Sequence, residues 1–156
     1  MENPERTARL IVFSVYSVYA SVIDIKYRRI PDWIVLAGFF SISASILLFC
    51  GCCFLAAAVS FITGGGVFLA VRIITKGKLG MGDVKFSAMT SLYTGIQGWI
   101  TAAGIASFAG LIFSLAGIAA GKMNKTSKIP FAPFLTAGAL AAFFIHPDSY
   151  RCPGGF

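Results

Sequence analysis

Only six acidic residues occur in this chain of 156, beside thirteen lysines and arginines and a single histidine. Charged residues make up 12% of the whole, about half the share a soluble globular domain uses to cover its surface. A water-exposed fold of ordinary composition is therefore excluded. Metal-site spacing is missing as well: Cys50, Cys52 and Cys53 do not form two separated Cys-x-x-Cys pairs, and His146 stands alone. The glycine-rich stretches lack the lysine and hydroxyl residue of a phosphate-binding loop, which excludes a Walker-type nucleotide site. Neither a metal nor another cofactor is expected.

What fills the chain is apolar surface, with 57% hydrophobic residues and a mean hydropathy of +0.82. Each crossing of a hydrocarbon layer about 30 Å thick takes roughly 17–25 mostly apolar residues, so the length suits about six helices and no separate soluble domain. The expected fold is an all-α, polytopic integral membrane protein forming one membrane-embedded domain over 1–156, its helices near residues 7–25, 33–50, 53–73, 83–97, 99–121 and 130–146. The fourth is short. The first ends in Asp24-Ile25-Lys26 without a small-residue cleavage pattern, and so reads as a mature span rather than a signal peptide. Gly64, Gly65, Gly66 and the small residues of 102–120 are expected to let helices pack closely.

The connecting segments alternate in charge. Lys26, Arg28 and Arg29 follow the first helix, Arg72, Lys76 and Lys78 the third, and Lys122, Lys125 and Lys128 the fifth, whereas the turns at 50–53 and 95–98 are uncharged. By the positive-inside rule the basic loops face the cytoplasm and both chain ends lie outside. The net charge of +7 is thereby explained by topology and by contact with anionic lipid, and no nucleic-acid partner is expected.

On that topology two of the six acids fall on one membrane face. Asp24 closes the apolar run 10–23, and Asp83 ends Leu79-Gly80-Met81-Gly82-Asp83 just before another. An ionisable residue in a membrane helix is costly and marks a functional site by default. Two carboxylates sharing one water cannot both ionise comfortably, so one keeps a proton while the other acts as base. The base activates water for attack on a peptide carbonyl, and the protonated partner polarises that oxygen and then protonates the leaving nitrogen. The plainer reading of Gly-x-Gly-Asp alone is a loop ending in a helix cap. A reading from another class is a small proton- or cation-coupled transporter using the paired aspartates, although such sites usually lie near the bilayer midplane between repeated halves.

Three segments in order resemble one family. Thr75-Lys76-Gly77-Lys78-Leu79-Gly80-Met81-Gly82-Asp83-Val84-Lys85 resembles the second catalytic segment of the type IV prepilin peptidases, membrane aspartic peptidases of the Gly-x-Gly-Asp class. Asp24-Ile25-Lys26-Tyr27-Arg28-Arg29-Ile30-Pro31-Asp32 resembles the first, and Ile129-Pro130-Phe131-Ala132-Pro133-Phe134-Leu135 the Pro-Phe-Gly-Pro-Phe element before the last helix, with Ala132 where the family usually has Gly. The resemblance implies cleavage of the leader from type IV pilin-like precursors, of the Flp/Tad or flagellin-like kind, at the cytoplasmic face of the inner membrane. It implies no metal, and its catalytic aspartates match Asp24 and Asp83. Because the paired Cys-x-x-Cys region that accompanies N-methylation is not present, the expected form is peptidase-only. Gly80, Gly82, Pro31, Asp32, Lys85, Pro130 and Pro133 are expected to shape the site or meet substrate, the glycines by adopting backbone geometries closed to other residues and by letting an extended substrate approach closely. Asp32 most simply caps the second helix, and Lys76, Lys78 and Lys85 most simply meet lipid headgroups. Cys50, Cys52 and Cys53 read first as packing residues, since free Cys behaves as a small buried hydrophobe; the second reading is a disulfide with Cys152, which lies on the same outer side.

Overall fold

A computed structural model of the protein describes residues 4–27, 30–49, 54–121 and 130–146. The four cysteines and the basic residues Arg28, Arg29, Lys122, Lys125 and Lys128 lie outside that set. Among the described residues the regular structure is entirely helical: α1 (Pro4–Tyr27), α2 (Asp32–Phe49), α3 (Phe54–Ile74), α4 (Met81–Ala119) and α5 (Ala132–Ile145). In hydrocarbon every backbone N–H and C=O must be satisfied within the protein, and a helix does this segment by segment. The few hydroxyls follow suit. Ser60, Thr63, Thr90, Thr94 and Ser114 each donate to the carbonyl four residues earlier, at 2.6–2.9 Å.

Three helices are long and apolar enough to cross a membrane, over Leu10–Tyr27, Leu55–Ile74 and Met81–Ala119, and two shorter apolar helices accompany them. The chain is thus an all-α membrane protein, as its composition implies. The two helices expected at 83–97 and 99–121 form one continuous element with a break at Gly95, whose φ of 69° is readily adopted only by glycine. In an unbroken helix residues 87 and 99 would stand about 18 Å apart along the axis. Trp99 Nε1 nevertheless donates to Ser87 Oγ at 2.9 Å, so the second arm of α4 turns back on the first.

Close approach, rather than side-chain volume, sets the helix contacts around this hairpin. A Cβ on Gly64 of α3 would stand 2.4 Å from Ser91 Cβ, and one on Gly138 of α5 would stand 2.4 Å from the carbonyl oxygen of Ala102. Gly65 meets Ala88 similarly, at 3.1 Å, while Gly66, Gly104 and Gly110 face open space. The small-residue expectation therefore holds for Gly64, Gly65, Ala102 and Ala106 but not for every glycine in those stretches. Around these points Phe13, Ile34, Ile42, Phe86, Met89 and Leu135 are fully enclosed. Phe13 stacks on Tyr93 with ring centroids 4.0 Å apart, joining α1 to α4.

Candidate active site

Asp24 lies in the last turn of α1 and Asp83 is the third residue of α4. Both belong to helix ends. The carboxylate of Asp24 is buried, with only 5% of the residue exposed. Its Oδ2 accepts the backbone N–H of Ala132 at 3.1 Å, and the amide of Phe131 also donates to it. A helix N-terminus presents unpaired N–H groups and a positive dipole end, so α5 supplies Asp24 with an anion cradle. Pro133, within the first turn of α5, has no N–H to present, and its fixed φ favours starting the helix there. Pro130, half-buried, immediately precedes this cradle. Ala132 is fully buried and contributes through its amide, so the methyl group it adds relative to glycine is accommodated inside the protein.

Asp83 is held differently. Gly80 caps α4, and the carboxylate of Asp83 turns back to accept the Gly80 N–H. This is the reciprocal half of a capping box, in which a carboxylate at the third helical position satisfies the cap residue's own amide. The cap is therefore Gly80, and Asp83 projects from within the first turn. The charge of Asp24 acts through space on Asp83, 59 positions further along the sequence (83 − 24).

The glycines serve this arrangement through the room they leave. Gly80 has φ −64° and ψ 143°, an extended geometry open to any residue. Its need is for space, because a Cβ there would stand 3.0 Å from Asp83 Oδ2. Gly82 lets α4 approach the turn after α1, since a Cβ would stand 3.0 Å from Ile30 Cβ and 3.3 Å from Ile30 N. Pro31 follows, and its carbonyl accepts the N–H of Ile34 at 3.2 Å to open α2.

Asp32 and Lys85 lie at the rim. Lys85 Nζ is 2.8 Å from Asp32 Oδ1, so this lysine is engaged by a protein carboxylate where a lipid contact was expected. Asp32 is the first residue of α2, as its expected position at that helix start requires. The side chains are 39% and 65% exposed, and exposed pairs of this kind contribute at most about 1 kcal/mol. Lys85→Ala is accordingly expected to change unfolding free energy by less than about 1 kcal/mol, measured by denaturation in detergent. Lys76 and Lys78 are exposed on the α3–α4 connection, and Lys26 extends over the Tyr27 ring.

Three participants escaped the sequence reading: the amides of Phe131 and Ala132, the close seat of Ile30 on Gly82, and Arg72, whose Nη1 donates to the carbonyl of Leu79. Pro130 and Pro133 mark a helix start, but nothing in their spacing says which residue that start would face. His146, at the far end of α5, shares a 2.9 Å hydrogen bond with Thr101 and takes no part in the site. Among the described residues no cluster of three or more His, Cys, Asp or Glu could hold a metal ion.

An all-helical membrane protein with an aspartate at each of two helix ends is the class that this fold and site define. The chain belongs to the type IV leader peptidase family, whose model matches residues 11–115. It is 29% identical over 146 residues to a prepilin leader peptidase/N-methyltransferase of Bacillus subtilis, an alignment covering 89% of this chain and 56% of that protein. It is 26% identical over 139 residues to the protein of the same name from Xanthomonas campestris, covering 86% and 48%. The type 4 prepilin-like proteins leader peptide-processing enzyme of Escherichia coli is 26% identical over 148 residues, covering 87% and 51%. The chain spans about half the length of the curated relatives it matches. No solved structure matches it.

Proposed function

We propose that this protein is an aspartic endopeptidase of the inner membrane that removes the leader peptide from type IV pilin-like precursors, using Asp24 and Asp83 to activate water at the cytoplasmic face. The observation that carries this reading is that the charge of Asp24 reaches Asp83, the one aspartate braced by the α5 amides and the other by the Gly80 amide. Two braced carboxylates can share a proton, and one can then take a proton from water while the other protonates the departing amine. Family membership and the names of the three relatives supply the substrate class. The position of both residues at helix ends favours a peptidase over a transporter, whose carboxylates belong near the midplane.

The loop charges favour a cytoplasmic location for this end of the bundle, and so for the scissile bond, with both termini outside. Co-expression with a type IV pilin-like precursor tests the reading. Intact-protein mass spectrometry is expected to show a product lighter by the leader in the presence of the wild-type chain. An unchanged precursor mass, with the protein confirmed in the membrane, refutes the peptidase.

A further inference from the structure

One peptide unit lies between Arg72 and Asp83. Arg72 Nη1 donates to the carbonyl oxygen of Leu79, and the N–H of Gly80, across the same C–N bond, donates to the carboxylate of Asp83. A trans peptide is planar, so its C=O and N–H point in opposite directions and anchoring one directs the other. A cation on the carbonyl also polarises the amide and strengthens its N–H as a donor.

The α3–α4 connection is built to bring these groups together. Gly77 N–H returns to the carbonyl of Arg72 at 2.8 Å and Lys76 N–H to that of Ile73 at 3.0 Å, with Lys76 and Gly77 both left-handed at φ 52° and 80°. That turn carries the chain back over the last turn of α3, where the Arg72 side chain can reach Leu79. The Leu79 side chain packs on the cluster of Phe68, Val84 and Trp99, which fixes the far side of the same segment. The guanidinium is half-buried, whereas Lys76 and Lys78 of the same connection are exposed. A positive charge serving topology alone requires none of these contacts.

We infer that Arg72 is a positioning residue for Asp83: its guanidinium clamps the Leu79 carbonyl and thereby aims the Gly80 amide at the carboxylate. The effect on cleavage rests on the peptidase reading above, whereas the clamp itself does not. Arg72→Met removes the donor and the charge while keeping much of the stem. Pairing it with Ile74→Lys, at a position 78% exposed in the last turn of α3, returns a positive charge to the same connection and preserves the topology signal.

The double variant R72M/I74K is expected to lower kcat for leader cleavage at least about tenfold, as loss of one charge-assisted hydrogen bond would, with KM within about twofold. Arg72→Lys, which restores a donor, is expected to recover most of that loss. Hydrogen exchange followed by mass spectrometry reads the clamp without substrate. Amides in 75–83 are expected to exchange about tenfold faster in R72M/I74K and near the wild-type rate in R72K. Wild-type exchange and wild-type kcat in the double variant would overturn the inference while leaving the peptidase intact. Absence of cleavage by the wild-type chain would refute the peptidase reading, and the exchange measurement would still decide the clamp.

Discussion

Asp83→Asn is expected to insert, fold and accumulate like the wild-type protein and to lose leader cleavage by at least about a thousandfold, the upper range of what a positioned acid or base contributes. The reasoning is geometric. An asparagine carbonyl oxygen can still accept the Gly80 N–H that the carboxylate accepts, so the first turn of α4 keeps its cap. It can neither take a proton from water nor return one to a leaving nitrogen. Asp24→Asn should behave alike, because its amide oxygen can accept the Ala132 N–H that Oδ2 receives. Precursor processing measured in membranes, with each variant's abundance matched by immunoblot, provides the test. Full processing by either variant would remove that residue from the chemistry.

Gly138→Leu carries the second large expected effect, this time on the fold. The Cβ at that position would lie 2.4 Å from the carbonyl oxygen of Ala102 and 3.2 Å from its Cα, and backbone atoms cannot step aside as a side-chain tip can. Overpacking typically costs about 1–3 kcal/mol, and here the strain falls on the seam between α5 and the returning arm of α4. Because α5 also bears the amides that brace Asp24, cleavage should fall together with thermal stability in detergent. Gly104→Ala is the matched control. No atom lies within 4 Å of its would-be Cβ, and exchanging glycine for alanine inside a helix is worth about 0.5–1 kcal/mol in the stabilising direction. If Gly138→Leu melted like wild type, the close seam would not be what seats α5.

The sequence carried the positions of the aspartates further than it carried the reasons for their surroundings. Helical spans follow from apolar length, so the ends of α1 and α3 were legible to within a turn. The turn expected at 95–98 materialised as a break at a single glycine, because φ 69° at Gly95 reverses the chain without a loop. Asp24 and Asp83 stood out because carboxylates are scarce and costly in apolar helices. Their partners did not stand out, because amides are present at nearly every residue and only the folded chain says which two face Asp24. Lys85 was assigned to lipid because a lysine at a membrane boundary ordinarily meets headgroups. Its contact with Asp32 depends on how α2 and α4 converge, which local periodicity does not encode. At Gly80 the sequence suggests both conformational freedom and close approach, and only the position of Asp83 Oδ2 reveals that the neighbour needing room is within the chain itself.

The bond from the Ala132 amide to Asp24 joins residues separated by 108 positions. At a synthesis rate of about 5–20 residues per second, a newly translated α1 waits on the order of 5–20 s before the segment that braces its carboxylate has been made. The Asp24 carboxylate of a nascent chain therefore lacks this bond until the distal apolar segment has been made and docked.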